Sequence, residues 1–301
     1  MQTATWAGMN SQTRKEARLR KAVRSVWCVS DGTTGMRQQS LAVAAVMKWD
    51  RCADFRDIVI TPHPLLRYAP RIGRWWPRLP LTQASDASLP RISNAADFPQ
   101  ILVTCGRRMA GISMALKARA KKQGAQLTTI HLQDPRLDPA CFDILTAPHH
   151  DPARGDNVIV TTAALNRLDR SHIANAATYL PKSWQAAAKP RVAVLVGGDN
   201  RRYRISEKMT ADLASQLRHF AKANDASLFL VPSRRCPDSV WQRLQSELKD
   251  INCLIPDKQQ QNPYPGVLGI ADAVIVTSDS VNMVSEAAST GKPVMIAYWT
   301  E

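Results

Sequence analysis

The chain has 301 residues, 45% of them hydrophobic, and it carries a net charge of +15 with an isoelectric point near 9.9. This length allows two domains that each bury a core, and no apolar run reaches the roughly 18 to 20 residues of a membrane-spanning helix. The positive charge favours acidic partners such as nucleotide phosphates or an anionic membrane surface. Nucleic acid is not expected as a partner, because zinc-ligand spacings, aromatic RNA-binding motifs and an isolated helix-turn-helix pattern are absent from the sequence.

The first 24 residues are strongly basic, with six Lys or Arg against a single Glu. They lack the apolar core of a secretory signal, so they are expected to form a basic N-terminal arm or a mitochondrial targeting peptide. Six cysteines are scattered along the chain without a CxxC pair. Reduced, buried thiols in the cytoplasm are therefore expected, without a structural metal or a resident cofactor.

The first predicted strand, over 26–30, runs into the turn sequence Asp-Gly-Thr-Thr-Gly. Its glycines, Gly32 and Gly35, let the backbone turn sharply and approach a ligand closely. The spacing is not the dinucleotide GxGxxG pattern, so the turn by itself does not identify the ligand. Asp31 is a candidate general base, and the alternative is a cap or turn residue.

A second strand over 57–60 leads into a stretch of prolines, arginines and paired tryptophans at 62–79. Trp75 and Trp76 in such a context suit an interfacial surface, where indole rings lie at the level of lipid headgroups and arginines meet anionic lipid. The same mixture suits an acceptor pocket. Local packing of the two rings under a long loop is the third alternative.

Two further turns of this half carry candidate site residues. The strand over 101–104 opens into Gly106 and Arg107, which can contact a phosphate or lie on the surface. His150 follows the strand at 144–146 and is a candidate base or phosphate contact, or an exposed loop histidine. A metal site is not expected there, because adjacent residues such as His149 and His150 rarely point at one ion.

After a polar connection over 162–190, a fresh strand over 192–196 ends in Gly-Gly-Asp-Asn and a run of arginines. The same order of strand, glycine turn and helix is thus found in both halves. It predicts an α/β protein of two Rossmann-like, doubly wound domains, with a ligand at the carboxyl ends of the strands.

The most informative stretch lies at 271–294. A buried strand over 273–276 ends in small hydroxyl residues, and Ser280 is the predicted N-cap of a helix that Gly291 helps to end. The free N–H groups and positive dipole end of such a helix can bind a diphosphate. Glu286, a turn and a half along, can accept hydrogen bonds from ribose hydroxyls. The alternative is an ordinary strand–loop–helix unit with a solvated Glu286.

The motifs at 262–264, 285–287 and 291–293 resemble the nucleotide-sugar site of GT-B glycosyltransferases, closest in style to the lipid-II-forming N-acetylglucosaminyltransferase. Three further motifs lie at 30–35, 104–108 and 196–200. With them, the whole chain resembles bacterial members of the mitochondrial fission ELM (elongated mitochondria) family.

This resemblance implies an acceptor domain over 25–161 and a nucleotide-sugar domain over 191–301, facing a cleft. The printed chain ends just after a strand, so the expected fold lacks the final helix of GT-B proteins. By resemblance Glu286 holds the ribose of the donor. The other implied donor contacts are Gly197, Gly198, Asn200, Arg202, Ser278, Ser280 and Asn282.

The implied function is metal-independent transfer of a sugar from a UDP or GDP donor to a lipid-linked or other acceptor. One alternative is a non-catalytic scaffold at a membrane surface, as plant members of the ELM family suggest. A nucleotide-sugar epimerase is the other. The expected location is the cytoplasm, peripherally at a membrane, or the mitochondrial surface in a eukaryote.

Overall fold

The computed structural model describes residues 23–76, 78–83, 86, 88–168, 170–200, 204–256 and 263–299. The chain divides into two units between Arg167 and Leu168. All but the last two residues of the predicted basic arm lie outside the described ranges.

The first unit contains one parallel sheet in the order β2-β1-β3-β4-β5-β6. Its strands are β1 Ser25–Ser30, β2 Asp54–Val59, β3 Ile101–Cys105, β4 Thr128–Leu132, β5 Ile144–Pro148 and β6 Val158–Thr161. Its helices are α1 Thr34–Val46, α2 Pro64–Tyr68, α3 Ile72–Trp75 and α4 Arg107–Lys122, with 3-10 turns at Trp49–Arg51, Ala95–Asp97 and Pro139–Cys141.

The sheet is buried on both faces, which explains the continuous apolar runs of its central strands. Trp27 and Leu102 point to the face that α4 covers, in one core cluster. Val26 and Val103 point to the opposite face, in a second cluster. The predicted α/β class is confirmed, because strands and helices alternate along the chain and the strands form one parallel sheet.

Residues 62–79 contain two short helices where the sequence suggested a loop. Pro64 occupies the first turn of α2, a position that proline tolerates, and the His63 side chain accepts a hydrogen bond from the Leu65 N–H. Both helices lie directly against α4. A Cβ at Gly111 would overlap the Leu66 carbonyl, and one at Gly73 would come 2.5 Å from the Gly111 carbonyl. Glycine therefore permits backbone-to-backbone packing here.

Substitution of Gly111 by Ala tests this packing. We expect the free energy of unfolding to fall by about 1–3 kcal/mol, because the added methyl group must displace a backbone segment rather than a flexible side chain. Urea unfolding measures the change. Gly155→Ala is the matched control, since its Cβ would meet its nearest neighbour at an ordinary 3.4 Å. An equal effect of both substitutions would contradict the close packing.

The second unit contains a parallel sheet in the order β11-β10-β7-β8-β9. Its strands are β7 Arg191–Val196, β8 Ser227–Pro232, β9 Cys253–Leu254, β10 Ala273–Thr277 and β11 Val294–Ala297. Its helices are α5 Arg170–Thr178, α6 Lys182–Gln185, α7 Glu207–Asn224, α8 Asp238–Glu247, α9 Tyr264–Ile270 and α10 Val281–Ser289.

The interdomain connection predicted over 162–190 is shorter than expected. The helices α5 and α6 belong to the second unit, because Ile173, Leu180 and Trp184 are buried in its core. A Cβ at Gly266 or Gly269 of α9 would come within 2.8 Å of a backbone carbonyl of α5. The alanine and proline content of this stretch therefore reflects packed helices rather than a linker.

All six cysteines lie within the described ranges as free thiols. No helix in the described part of the chain is long and apolar enough to cross a membrane.

Candidate functional site

Each sheet has a point where the strand order reverses. In the second sheet the chain passes from β7 to β8 on one side and later returns to β10 on the other side of β7. In open α/β sheets ligands bind at the carboxyl ends of the two strands that flank such a switch point. Gly197 and Gly198 follow β7, and Ser278 follows β10, so the structure brings these predicted residues to one edge of the sheet.

The glycine turn after β7 packs directly against the segment after β10. The Gly197 N–H donates to Thr277 Oγ1 (2.8 Å), and the Gly198 N–H donates to Asp279 Oδ2 (3.0 Å). A Cβ at Gly197 would overlap the Asp279 carboxylate, and one at Gly198 would overlap the Arg235 carbonyl. Both glycines are thus required by close approach within the protein itself.

Asp279 is the centre of this arrangement, and sequence analysis missed it. Its side chain is fully buried. Oδ1 accepts hydrogen bonds from Thr277 Oγ1 (2.7 Å) and Trp299 Nε1 (3.1 Å). Oδ2 accepts from the Gly198 N–H and from Arg235 Nη2 (3.3 Å). One carboxylate therefore connects the ends of β7, β8 and β10.

The helix α10 begins two residues after Asp279, at Val281. Ser280 is its N-cap, as predicted, but the Ser280 side chain makes no capping hydrogen bond. The Ser278 hydroxyl is buried and has no hydrogen-bond partner in the described part of the chain. Asn200 Nδ2 donates to the Asp279 carbonyl (3.1 Å), which holds the end of the glycine turn beside the helix start. Asn282 lies partly buried in the first turn of α10.

Glu286 lies further along α10 and is not the solvated residue of the alternative interpretation. The Tyr264 hydroxyl donates to Glu286 Oε2 at 2.5 Å. Burial raises the pKa of the Glu286 carboxyl, and the hydrogen bond from Tyr264 offsets part of that rise. Burial and the neighbouring carboxylate also raise the pKa of Tyr264. A partly buried acceptor is thus held in one orientation, about 8 Å along the helix from its start.

The first unit has its own switch point, between β1 and β3. Asp31 follows β1 and accepts hydrogen bonds from the Thr33 N–H (3.1 Å) and from Arg108 Nη1 (3.2 Å). Burial acts to raise the pKa of Asp31, but these hydrogen bonds outweigh it and hold the pKa below its ordinary value. Asp31 therefore stabilises the turn after β1, as predicted, and also forms an ion pair with Arg108, which follows β3 on the other side of the switch point.

The other predicted residues of this unit are spread along the sheet edge. Gly32 and Gly106 have φ of +78° and +80°, which favours glycine, whereas Gly35 lies inside α1. Arg107 is exposed in the first turn of α4. His150 is exposed after β5, three strands from β1, or about 14 Å at the usual strand spacing. Within the described ranges, the structure records no hydrogen bond or ion pair between Asp31 and His150.

Two features bear on bound ions and phosphates. Arg202 lies outside the described residues, and Arg204 pairs with Asp199 at 3.2 Å. Among the residues that the structure describes, no group of three or more His, Cys, Asp or Glu is placed to hold a metal ion.

Comparison with known proteins identifies relatives over nearly the whole chain. The sequence profile of the mitochondrial fission ELM1 family matches residues 34–301. The mitochondrial fission protein ELM1 of Arabidopsis thaliana is 29% identical over 234 residues, covering 69% of this chain and 54% of the plant protein. An uncharacterised protein of Rickettsia prowazekii is 27% identical over 311 residues, covering 91% of this chain and 83% of its own length. The chain thus spans about half the length of the plant relative.

The fold is similar to solved nucleotide-sugar enzymes. The UDP-GlcNAc 2-epimerase of Neisseria meningitidis, solved with UDP-GlcNAc bound, matches with a TM-score of 0.51 at 14% identity, covering 90% of this chain and 82% of that chain. The corresponding enzyme of Methanocaldococcus jannaschii matches with a TM-score of 0.51 at 12% identity, covering 90% and 83%. The two doubly wound units therefore place the protein in the GT-B fold class. Within that class, the chain belongs to the mitochondrial fission ELM1 family.

Proposed function

We propose that the second unit binds a nucleotide-diphosphate sugar and that the protein acts as a GT-B-type glycosyltransferase. One observation carries the proposal. The N-terminus of α10 lies at a sheet switch point beside the glycine turn at Gly197 and Gly198, and the side chain of its N-cap residue Ser280 makes no capping hydrogen bond. Exposed N–H groups and the positive helix dipole at such a position favour a diphosphate.

The charge distribution around this helix supports the same ligand. Arg235 touches Asp279 with one edge of its guanidinium, and its side chain is 43% exposed. It is available to an anion next to the helix start. A leaving diphosphate would then be stabilised by fixed N–H dipoles and arginine, so the transfer would not require a metal ion.

The geometry of Glu286 supports ribose recognition. Tyr264 donates to Oε2, which fixes the carboxylate, and ribose hydroxyls supply further donors for its oxygens. Glu286 lies about 8 Å along α10 from the helix N-terminus. This distance allows the diphosphate to lie at the N-terminus while the ribose contacts Glu286. The structural relative from Neisseria meningitidis was solved with UDP-GlcNAc bound, which makes a UDP sugar the first donor to test.

The acceptor side is assigned to the first unit, with Asp31 and His150 as candidate bases. In transfer, the base takes the proton of an acceptor hydroxyl while the acceptor oxygen bonds to the sugar carbon and the bond to the diphosphate breaks. The lowered pKa of Asp31 makes it a weak base. That observation favours a second candidate function, a non-catalytic scaffold that binds the nucleotide sugar without turning it over.

Calorimetric titration with UDP, GDP and their sugars tests donor binding. We expect micromolar affinity for one nucleotide series in the wild type, and a loss of about ten- to a hundredfold in Glu286→Ala, since a hydrogen bond to a charged group contributes about 1.5–3 kcal/mol. Glu207→Ala is the control, because Glu207 is 91% exposed on another helix of the same unit. Its affinity should equal that of the wild type.

A folded protein that binds none of these nucleotides would refute the proposal. If binding is found, turnover separates the candidates. Loss of the sugar from its donor in the presence of a lipid-linked acceptor supports the transferase, inversion of the sugar without acceptor supports an epimerase, and stable binding without either reaction supports the scaffold.

A further inference from the structure

The segment from Pro62 to Thr82 of the first unit carries several exposed aromatic and basic side chains. The sequence from 62 to 85 has four arginines and no Asp or Glu, a formal charge of +4. We use the name aromatic–arginine surface for the exposed or half-buried side chains of Leu65, Arg67, Tyr68, Arg71, Arg74, Trp75, Trp76 and Arg78.

The aromatic rings of this surface are unusually exposed. Trp75 is 78% exposed, Tyr68 75% and Trp76 57%. Single apolar residues at a surface are ordinary, but neighbouring large apolar side chains in one segment mark an interaction site. The interpretation of Trp75 and Trp76 as packed under a loop does not hold, because the core contact of the segment is made by other residues.

Those other residues fix the segment firmly. Its two ends are joined by an antiparallel bridge between Pro62 and Thr82, and Leu66, Leu79 and Leu81 are buried in the core of the unit. Arg119 Nη2 donates to the Leu79 carbonyl at 2.5 Å. The aromatic side chains are therefore displayed by an anchored structure, and their exposure is not the result of a loose loop.

One side of α3 packs closely on the first unit. A Cβ at Gly73 would come 2.5 Å from the Gly111 carbonyl, so the Gly73 side of α3 faces α4. On the outer side, the Arg74 guanidinium lies 5.7 Å from the Trp75 ring centroid, and that of Arg67 lies 5.4 Å from the Tyr68 ring. Positive charge and aromatic surface thus occur side by side.

We propose that the aromatic–arginine surface docks the protein on an anionic lipid bilayer. Indole and phenol rings prefer the boundary between headgroups and acyl chains, and arginines pair with lipid phosphates at the same depth. The aliphatic side chain of Leu65, 43% exposed, adds apolar surface that neither a phosphate nor a stacked base would use. The charge of the surface suits an anionic partner, and its apolar character favours lipid over nucleic acid.

Vesicle sedimentation with the full chain tests the proposal. We expect the wild type to sediment with vesicles of phosphatidylcholine and about one third phosphatidylglycerol, and not with phosphatidylcholine alone. The double substitution Trp75→Ala/Trp76→Ala should weaken binding by about tenfold or more, because it removes the interfacial anchors. Both residues are exposed, so thermal unfolding should be unchanged.

Two charge variants complete the test. Arg71→Gln/Arg74→Gln should lower the affinity and flatten its dependence on salt. Lys48→Gln/Arg51→Gln removes the same charge from exposed positions of the segment that packs on the opposite face of the sheet, and it should bind like the wild type. Absence of binding to anionic vesicles would overturn the proposal. So would binding that the tryptophan substitutions leave intact, or a single-stranded oligonucleotide that binds more tightly than vesicles through the same residues.

Discussion

Substitution of Asp279 by Ala is expected to lower the free energy of unfolding of the second unit by about 3–5 kcal/mol, because it leaves several buried donors without an acceptor. The Gly198 N–H, the Thr277 hydroxyl and the Trp299 indole N–H all donate to this carboxylate. Asp279→Asn should lower the free energy of unfolding almost as much. The amide NH₂ group replaces one of the two acceptor oxygens, and it would then face two donors.

Urea unfolding and nucleotide titration measure the effect. Asp250→Asn is the matched control, since Asp250 is exposed and pairs with Arg218 and Lys222 at the surface. Such pairs contribute about 0–1 kcal/mol, so the control should stay near the wild type. We also expect Asp279→Asn to weaken nucleotide binding, because the glycine turn loses its fixed position. Equal stability of the Asp279 and Asp250 variants would show that the buried carboxylate does not organise the site.

His131 gives the second large effect, a loss of stability in mild acid. The side chain is fully buried in β4, its Nδ1 lies 2.8 Å from Thr104 Oγ1, and its ring stacks on Phe142 at 4.5 Å. Its Nε2 has no partner among the described residues. Burial lowers the pKa of His131 to about 3.

The direction of the pH effect follows from proton binding. Below pH 6.5, the ordinary pKa of histidine, His131 binds a proton in the unfolded chain but stays neutral in the folded protein. The free energy of unfolding therefore falls as the pH falls from about 6.5 toward 3. Between pH 7 and pH 5 this residue should account for about 2 kcal/mol. Carboxylates with lowered pKa, such as Asp31 and Asp143, contribute chiefly at lower pH.

Urea unfolding at several pH values isolates the residue. His131→Asn removes the titrating group and retains a polar atom near Thr104, so the variant should be less stable at pH 7 but should lose less stability on acidification. His150→Asn, an exposed histidine of the same unit, is the control and should keep the wild-type slope. Parallel curves for the wild type and His131→Asn would contradict the prediction.

The sequence predicted the strands and long helices well because their signals are local. A β-branched run such as 192–196 identifies a buried strand, and the N-cap at Ser280 with the stop at Gly291 identifies a helix, in each case from neighbouring residues alone. The short helices α2, α3, α5, α6 and α9 were not predicted. Each is too short to show a period, and each is stabilised by tertiary contacts such as those of Gly111 and Gly266, which lie far away in sequence.

For the site, the sequence predicted positions at strand ends but not the contacts between them. Glu286 was indicated by its place along the predicted helix and by resemblance, whereas its partner Tyr264 is 22 residues away and joins it only in the folded unit. Asp279 lay between two serines that were named as ligand contacts. Nothing local indicates that its side chain turns inward, because its donors come from three other segments.

The helix α9 links Glu286 to the first helix of the second unit, because it packs closely on α5. Tyr264 begins α9 and holds Glu286, while Lys292 Nζ donates to the carbonyls of Leu268, Gly269 and Ala271 at the other end of the helix (2.5–2.8 Å). Gly266 and Gly269 of α9 allow close backbone packing on α5, which is the first helix after the boundary at Arg167 and Leu168. Displacement of Tyr264 would therefore have to move α9 against α5, so the position of the Glu286 carboxylate depends on how the first helix of the second unit is packed.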